Sequence, residues 1–190
     1  MRKYILLLAG LTFLLGTLSP GCQGNKDPET VQRIDSLLRT VDSLRTALAE
    51  VDLAECRMID STFRMQRPAI QLFFTDTLER EPAMVVGNYF RAMKKSLPRA
   101  LGKTPEIRAH LDSSAAKITD LRHDVDKGLL PDNPKRVYLE QEQLILSELE
   151  RATDVCIHSF GTVVRAWETR PQVDSILRVS AANRVKRATP

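Results

Sequence analysis

The sequence predicts an all-α fold, an elongated helical bundle with a coiled-coil-like first helix and a long antiparallel helical hairpin. Three observations predict it. Ile34, Leu37, Val41, Leu44, Leu48 and Val51 alternate three and four apart, the spacing of a coiled-coil seam. A polar residue followed by proline stands at Asp27 and Pro28, Thr104 and Pro105, and Asn133 and Pro134, each time ahead of a helical period. No run of alternating β-branched residues is long enough for a strand.

Residues 1–21 read as a signal peptide. Met1, Arg2 and Lys3 give a positive start, Tyr4 to Leu15 an apolar run, and Gly16 to Gly21 small or turn-forming residues before Cys22. The run is too short to span a bilayer, since a dozen helical residues rise only about 18 Å against roughly 30 Å of hydrocarbon. Residues 22–27 are polar and aperiodic and form a tether.

The bundle is expected over residues 28–183. Asp27, Pro28 and Glu29 supply a capping oxygen, a proline that loses no needed donor, and an acid favourable to the helix dipole. The first helix is expected to run unbroken to Pro68, about 55 Å. IDSLLRT and VDSLRTA are near-copies one heptad apart, and Asp35 with Arg39 and Asp42 with Arg45 mark the wet side.

Ile70, Phe73, Phe74 and Leu78 between two prolines, then Val85, Tyr89, Phe90, Met93 and Leu97 before Pro98, predict two short helices. The hairpin follows. Its first arm runs from Pro105 to Lys127 on Ile107, Leu111, Ile118, Leu121 and Val125, and Gly128 stops it. After the turn from Leu129 to Asn133, the second arm runs from Pro134 to Glu168, with Tyr138, Leu144, Ile145, Leu149, Ala152, Cys156, Phe160, Val163 and Trp167 facing inward. A connection this short makes the arms antiparallel neighbours. Gly161 marks a close approach or a kink. A last helix covers Val173 to Asn183, and residues 184–190 form a solvated basic tail.

With 43% hydrophobic and 27% charged residues, ten prolines and eight glycines in 190 residues, disorder and collagen-like repeats are excluded, and three cysteines are too few for a disulfide scaffold. The formal net charge of +4 includes Arg2 and Lys3, so the chain from Cys22 onward carries +2. The positive excess is local, in Arg178, Arg184, Lys186 and Arg187 near the C-terminus. Cys56 and Cys156 either form a disulfide closing a loop of about 100 residues or stand as two buried thiols.

Catalytic signatures are sparse. Ser114 and Lys117 spell SxxK, yet SDN and KTG are absent; Gly102, Lys103 and Thr104 lack the preceding glycine and strand of a phosphate loop. Asp120, His123 and Asp124, and Asp154 with His158, read as polar helix faces, and no ExxH, HExxH, CxxC or GxSxG occurs. No metal, cofactor or catalytic residue is assigned. Ile70, Phe73 and Phe74 form a candidate interaction surface, because half the aromatics cluster between Phe63 and Phe90.

The stretch from Ser19 to Cys22 resembles the lipobox of bacterial lipoproteins, with Gly21 directly before the cysteine and Ser19 where leucine is usual. The chain's layout is similar to small helical lipoproteins of Gram-negative envelopes. That resemblance implies acylation of Cys22, anchoring to a membrane and, with Gln23 next, the outer membrane. The expected role is structural or protein-interacting and non-enzymatic, with an envelope protein as partner and no nucleic acid. The alternative is a helical carrier holding a lipid or small apolar ligand in a groove.

Overall fold

The computed structural model describes residues 27–76 and 79–188. The expected signal peptide, Cys22 and the expected tether up to Lys26 lie outside the described residues. Five helices make up the described chain: α1 (Pro28–Ala49), α2 (Leu53–Phe73), α3 (Arg80–Asp126), α4 (Asp132–Glu168) and α5 (Arg170–Ala188). The fold is all-α, and no described helix is long and apolar enough to cross a membrane.

α3 is the spine. Its 47 residues rise roughly 70 Å. α1 and α2 run antiparallel along it in succession, and α4 then α5 return along another side. The core has two chambers. In one, Ile34, Val41 and Leu48 of α1 pack with Leu111, Ile118 and Leu121 of α3 and Leu139 and Leu146 of α4. In the other, Phe63, Ile70 and Phe73 of α2 meet Tyr89, Met93 and Leu97 of α3 and Val173 of α5. Phe160 of α4 packs against both.

The first chamber is a three-helix coiled coil. Thr104, Ile107, Leu111, Ser114, Ile118, Leu121 and Val125 of α3 are all buried and alternate three and four apart, as the α1 seam does. The α4 partners are Leu139, Glu142, Leu146, Leu149, Thr153 and Cys156. Tyr138 and Leu144, expected inside, are 50% and 60% exposed. The stripe facing α3 and α1 carries a glutamate and a threonine, so hydrophobicity alone selected a neighbouring stripe.

The expected helix from Pro28 to Pro68 is two helices. Ala49 ends α1, and the carboxylate of Asp52 accepts from the backbone N–H of Ala54 (2.8 Å) and Glu55 (2.9 Å) to open α2. Asp52 and Glu55, three apart, have the spacing of a capping box. α2 continues through Pro68, which lies on its exposed side.

Of the two expected short helices, the first, on Ile70, Phe73 and Phe74, is the end of α2, with Leu78 outside the described residues, and the second is one element with the first hairpin arm. α3 passes unbroken through Pro98, Gly102 and Pro105. Each proline removes one backbone hydrogen bond. Both prolines are exposed, whereas Leu97, Ala100, Thr104 and Ile107 on the opposite side are buried across the whole stretch. Inner-face packing therefore holds the axis through the two missing bonds.

Gly128 stops α3 as expected, with φ of 66°. Its N–H donates to Val125 O (3.0 Å), and Leu129 N–H donates to Asp124 O (2.9 Å), a Schellman closure that turns the chain into α4. α3 and α4 then pack antiparallel as the most extensive helix pair. α4 begins at Asp132, so Asn133 lies inside its first turn and not at its cap. A Cβ at Gly161 would meet only the flexible Arg165 Nη1 at 3.4 Å, so this glycine marks no close approach.

α5 starts before Val173 and runs past Asn183 to Ala188. Residues 184–188, expected as a solvated tail, are helical. Arg184 donates from Nε to Asp76 (2.6 Å) and from Nη2 to Leu72 O (2.8 Å), fastening α5 to the end of α2. Across the other chamber, Arg45 of α1 bonds Asp112 of α3 at 2.6 Å. Asp35 pairs with Arg122 at 2.7 Å instead of with Arg39.

Candidate functional site

Among the described residues no group of three or more His, Cys, Asp or Glu is placed to hold a metal. His123 and His158 are exposed, as are Asp120 and Asp154. Ser114 sits in the coiled-coil seam, 2% exposed, while Lys117 stands in solvent, so the SxxK spacing brings no pair together.

Cys56 and Cys156 are both buried free thiols, placed in different chambers. Burial pushes the Cys56 thiol up to about 11, with the charges of Glu55 and Asp52 adding to the effect. Cys156 Sγ lies 2.9 Å from Thr104 Oγ1. Thr104 gives its single hydroxyl proton to Ala100 O at 2.7 Å, so the thiol donates to the threonine oxygen.

Of the candidate surface Ile70, Phe73 and Phe74, only Phe74 is accessible. Ile70 is fully buried and Phe73 is 4% exposed. They follow Phe63 along the inner face of α2, where α3 and α5 cover them. Phe74, at the last turn, keeps 40% exposure and sets its ring 6.2 Å from Phe90 of α3. Beside Phe73, a cleft of about 300 Å³ between the end of α2 and α5 carries the Asp76 and Arg184 pair in its lining.

A polar clasp inside the second chamber joins three helices. Tyr89 of α3 donates its hydroxyl to Gln66 Oε1 of α2 (2.6 Å), and Gln66 Nε2 donates to Asp174 of α5 (2.6 Å). Burial pushes the Tyr89 phenol up to about 12, and Arg170 pulls against that shift. The clasp spans 108 residues of sequence, and no local motif announces it.

A second groove, about 360 Å³, runs between α2 and α3. Phe63, Phe90 and Met93 form its floor, and Arg64, Arg67 and Lys94 rise along its rim. Lys94 Nζ lies 5.8 Å from the Phe90 ring centroid, and Arg64 pairs with Asp60 at 2.7 Å. The aromatic pattern marks the phenylalanines as a cluster but does not single out the cations bordering them. A sequence signal for them exists: no acid occurs between Glu81 and Glu106, while Arg91, Lys94, Lys95, Arg99 and Lys103 lie in that interval.

Comparisons with models of known families, with curated proteins and with solved structures find no match.

Proposed function

We propose that this protein is a lipoprotein moored by an acylated Cys22 to an envelope membrane, where its helical rod acts by contact, in a structural or protein-binding role without catalysis. The observation that carries this reading is the position of Asp27. Its carboxylate accepts from Lys135 Nζ at 2.5 Å, at the start of α4, so the chain leaves the body at the hairpin end of the rod. Cys22 precedes it by five residues, which extend under about 20 Å. Acylation there holds that end close to a bilayer, and two or more acyl chains make such a mooring stable. The lipobox-like residues from Ser19 to Cys22 support the same reading, and Gln23 favours the outer membrane.

The test is fractionation of cells carrying Cys22→Ser, together with labelling by a palmitate analogue. In high salt, which removes purely electrostatic attachment, the variant is expected in the soluble fraction without label and the parent chain in the membrane fraction with it. Label on the variant, or equal membrane retention of both, would refute the reading.

A further inference from the structure

We propose that the outer face of the N-terminal half of α3, with the adjoining edge of α2, docks on an anionic phospholipid surface. Arg91, Lys95 and Arg99 follow one another a turn apart over about 12 Å on the exposed side of α3. Met84, a heptad before Arg91, extends the same side with an apolar chain that is 56% exposed. Arg67 and Lys94 lie across the groove from each other, above the floor of Phe63, Phe90 and Met93.

Charge complementarity identifies the occupant. The interval between Glu81 and Glu106 contains five cations and no acid. Arg67, Arg91, Lys95 and Arg99 are exposed and form no ion pair among the described residues, unlike Arg64 with Asp60 or Lys103 with Glu106. These charges sit at the tips of long solvated side chains, without buried polar partners that would fix a donor geometry. A smeared cationic field beside the exposed Met84 side chain suits fluid phosphate headgroups over hydrocarbon, whereas a folded acidic partner is read through fixed hydrogen bonds. The face lies roughly 45 Å along α3 from the hairpin end, so it gives the rod a contact remote from Cys22. It does not depend on acylation of that cysteine.

The experiment is flotation of the full chain with vesicles of phosphatidylcholine alone and with about one third phosphatidylglycerol, at low and high salt. The comparison is Arg91→Gln, Lys95→Gln, Arg99→Gln combined, exposed substitutions that keep helix propensity, with helicity checked by circular dichroism. The apolar N-terminal run is common to every arm and cancels in the ratio. The parent chain is expected to prefer the anionic vesicles at low salt, by on the order of 100-fold for three cations, and to lose the preference at high salt or in the variant. Equal partition of the parent into both vesicles, or an undiminished preference in the variant, overturns the proposal. Binding of a fluorescent poly-glutamate peptide with no phosphatidylglycerol preference also overturns it, and assigns the face to an acidic protein. Failure of Cys22→Ser to release the protein in high salt leaves these ratios untouched.

Discussion

Two buried threonines are expected to respond with opposite sign to the same substitution. Thr153 of α4 and Thr104 of α3 are both fully buried in the coiled-coil chamber. Thr153 Oγ1 has no hydrogen-bond partner among the described residues. A buried hydroxyl without a partner has lost its water for nothing, at a cost of about 1–3 kcal/mol. Thr153→Val replaces that hydroxyl by a methyl of similar size at nearly equal helix propensity, so it is expected to stabilise by up to about that amount. For a chain of this size each kcal/mol raises the melting temperature by about 2–4 °C. Thr104 Oγ1 instead bonds Ala100 O at 2.7 Å and lies 2.9 Å from Cys156 Sγ. Thr104→Val leaves the thiol without its acceptor and is expected to destabilise by about 1 kcal/mol. Urea unfolding of the two variants, read from the midpoint at unchanged slope, measures both. A lower midpoint for Thr153→Val, or a rise for both variants, would refute the assigned hydrogen bonding.

Glycines divide in the same way. Gly161→Ala and Gly102→Ala lie within helices where a Cβ meets at most a flexible arginine tip or open space, so each is expected to stabilise by about 0.5–1 kcal/mol. Gly128→Ala forces a side chain onto φ of 66° and is expected to cost about 1 kcal/mol or more; the three together, measured by thermal melts, check both signs. Asp27 gives an acid dependence. Bonds from Lys135 first, then from Thr30, lower its carboxyl from 3.8 to about 2. Because the folded value lies below the unfolded one, the unfolded chain binds the proton first as pH falls. The stabilisation is complete above about pH 4 and is lost as pH falls through about 2. Asp27→Asn is expected to be less stable at neutral pH and to lose part of the acid slope; equal slopes for variant and parent in urea titrations between those pH values would count against the Lys135 contact.

Much of the local structure was legible in the sequence. The three-four alternation from Ile34 to Val51 is a rule about residues one turn apart on the same chain, and it named the α1 seam. Asp27 with Pro28, and Gly128, act within their own turn, so the start of α1 and the stop of α3 were readable, and with them the antiparallel hairpin. The capping pair Asp52 and Glu55 is equally local, yet the apolar pattern that continues past it masks the break between α1 and α2. The acid-free interval of α3 was readable too, yet its cations gained meaning only when α2 brought Arg67 and Phe63 beside Lys94 and Phe90.

What tertiary structure decided depends on partners distant in the chain. Proline at 98 and 105 ought to end a helix locally; burial of Leu97, Ala100, Thr104 and Ile107 by other helices keeps α3 whole. Tyr138 and Leu144 are apolar but exposed, because the stripe of α4 that enters the seam is the one α1 and α3 leave room for, glutamate and threonine included. Ile70 and Phe73 were candidates for display and became core when α5, tied by Arg184 to Asp76, closed over them. Periodicity along one helix fixes that a stripe exists and how it is spaced; which stripe is buried, and what stays exposed, is settled by the helices that pack against it.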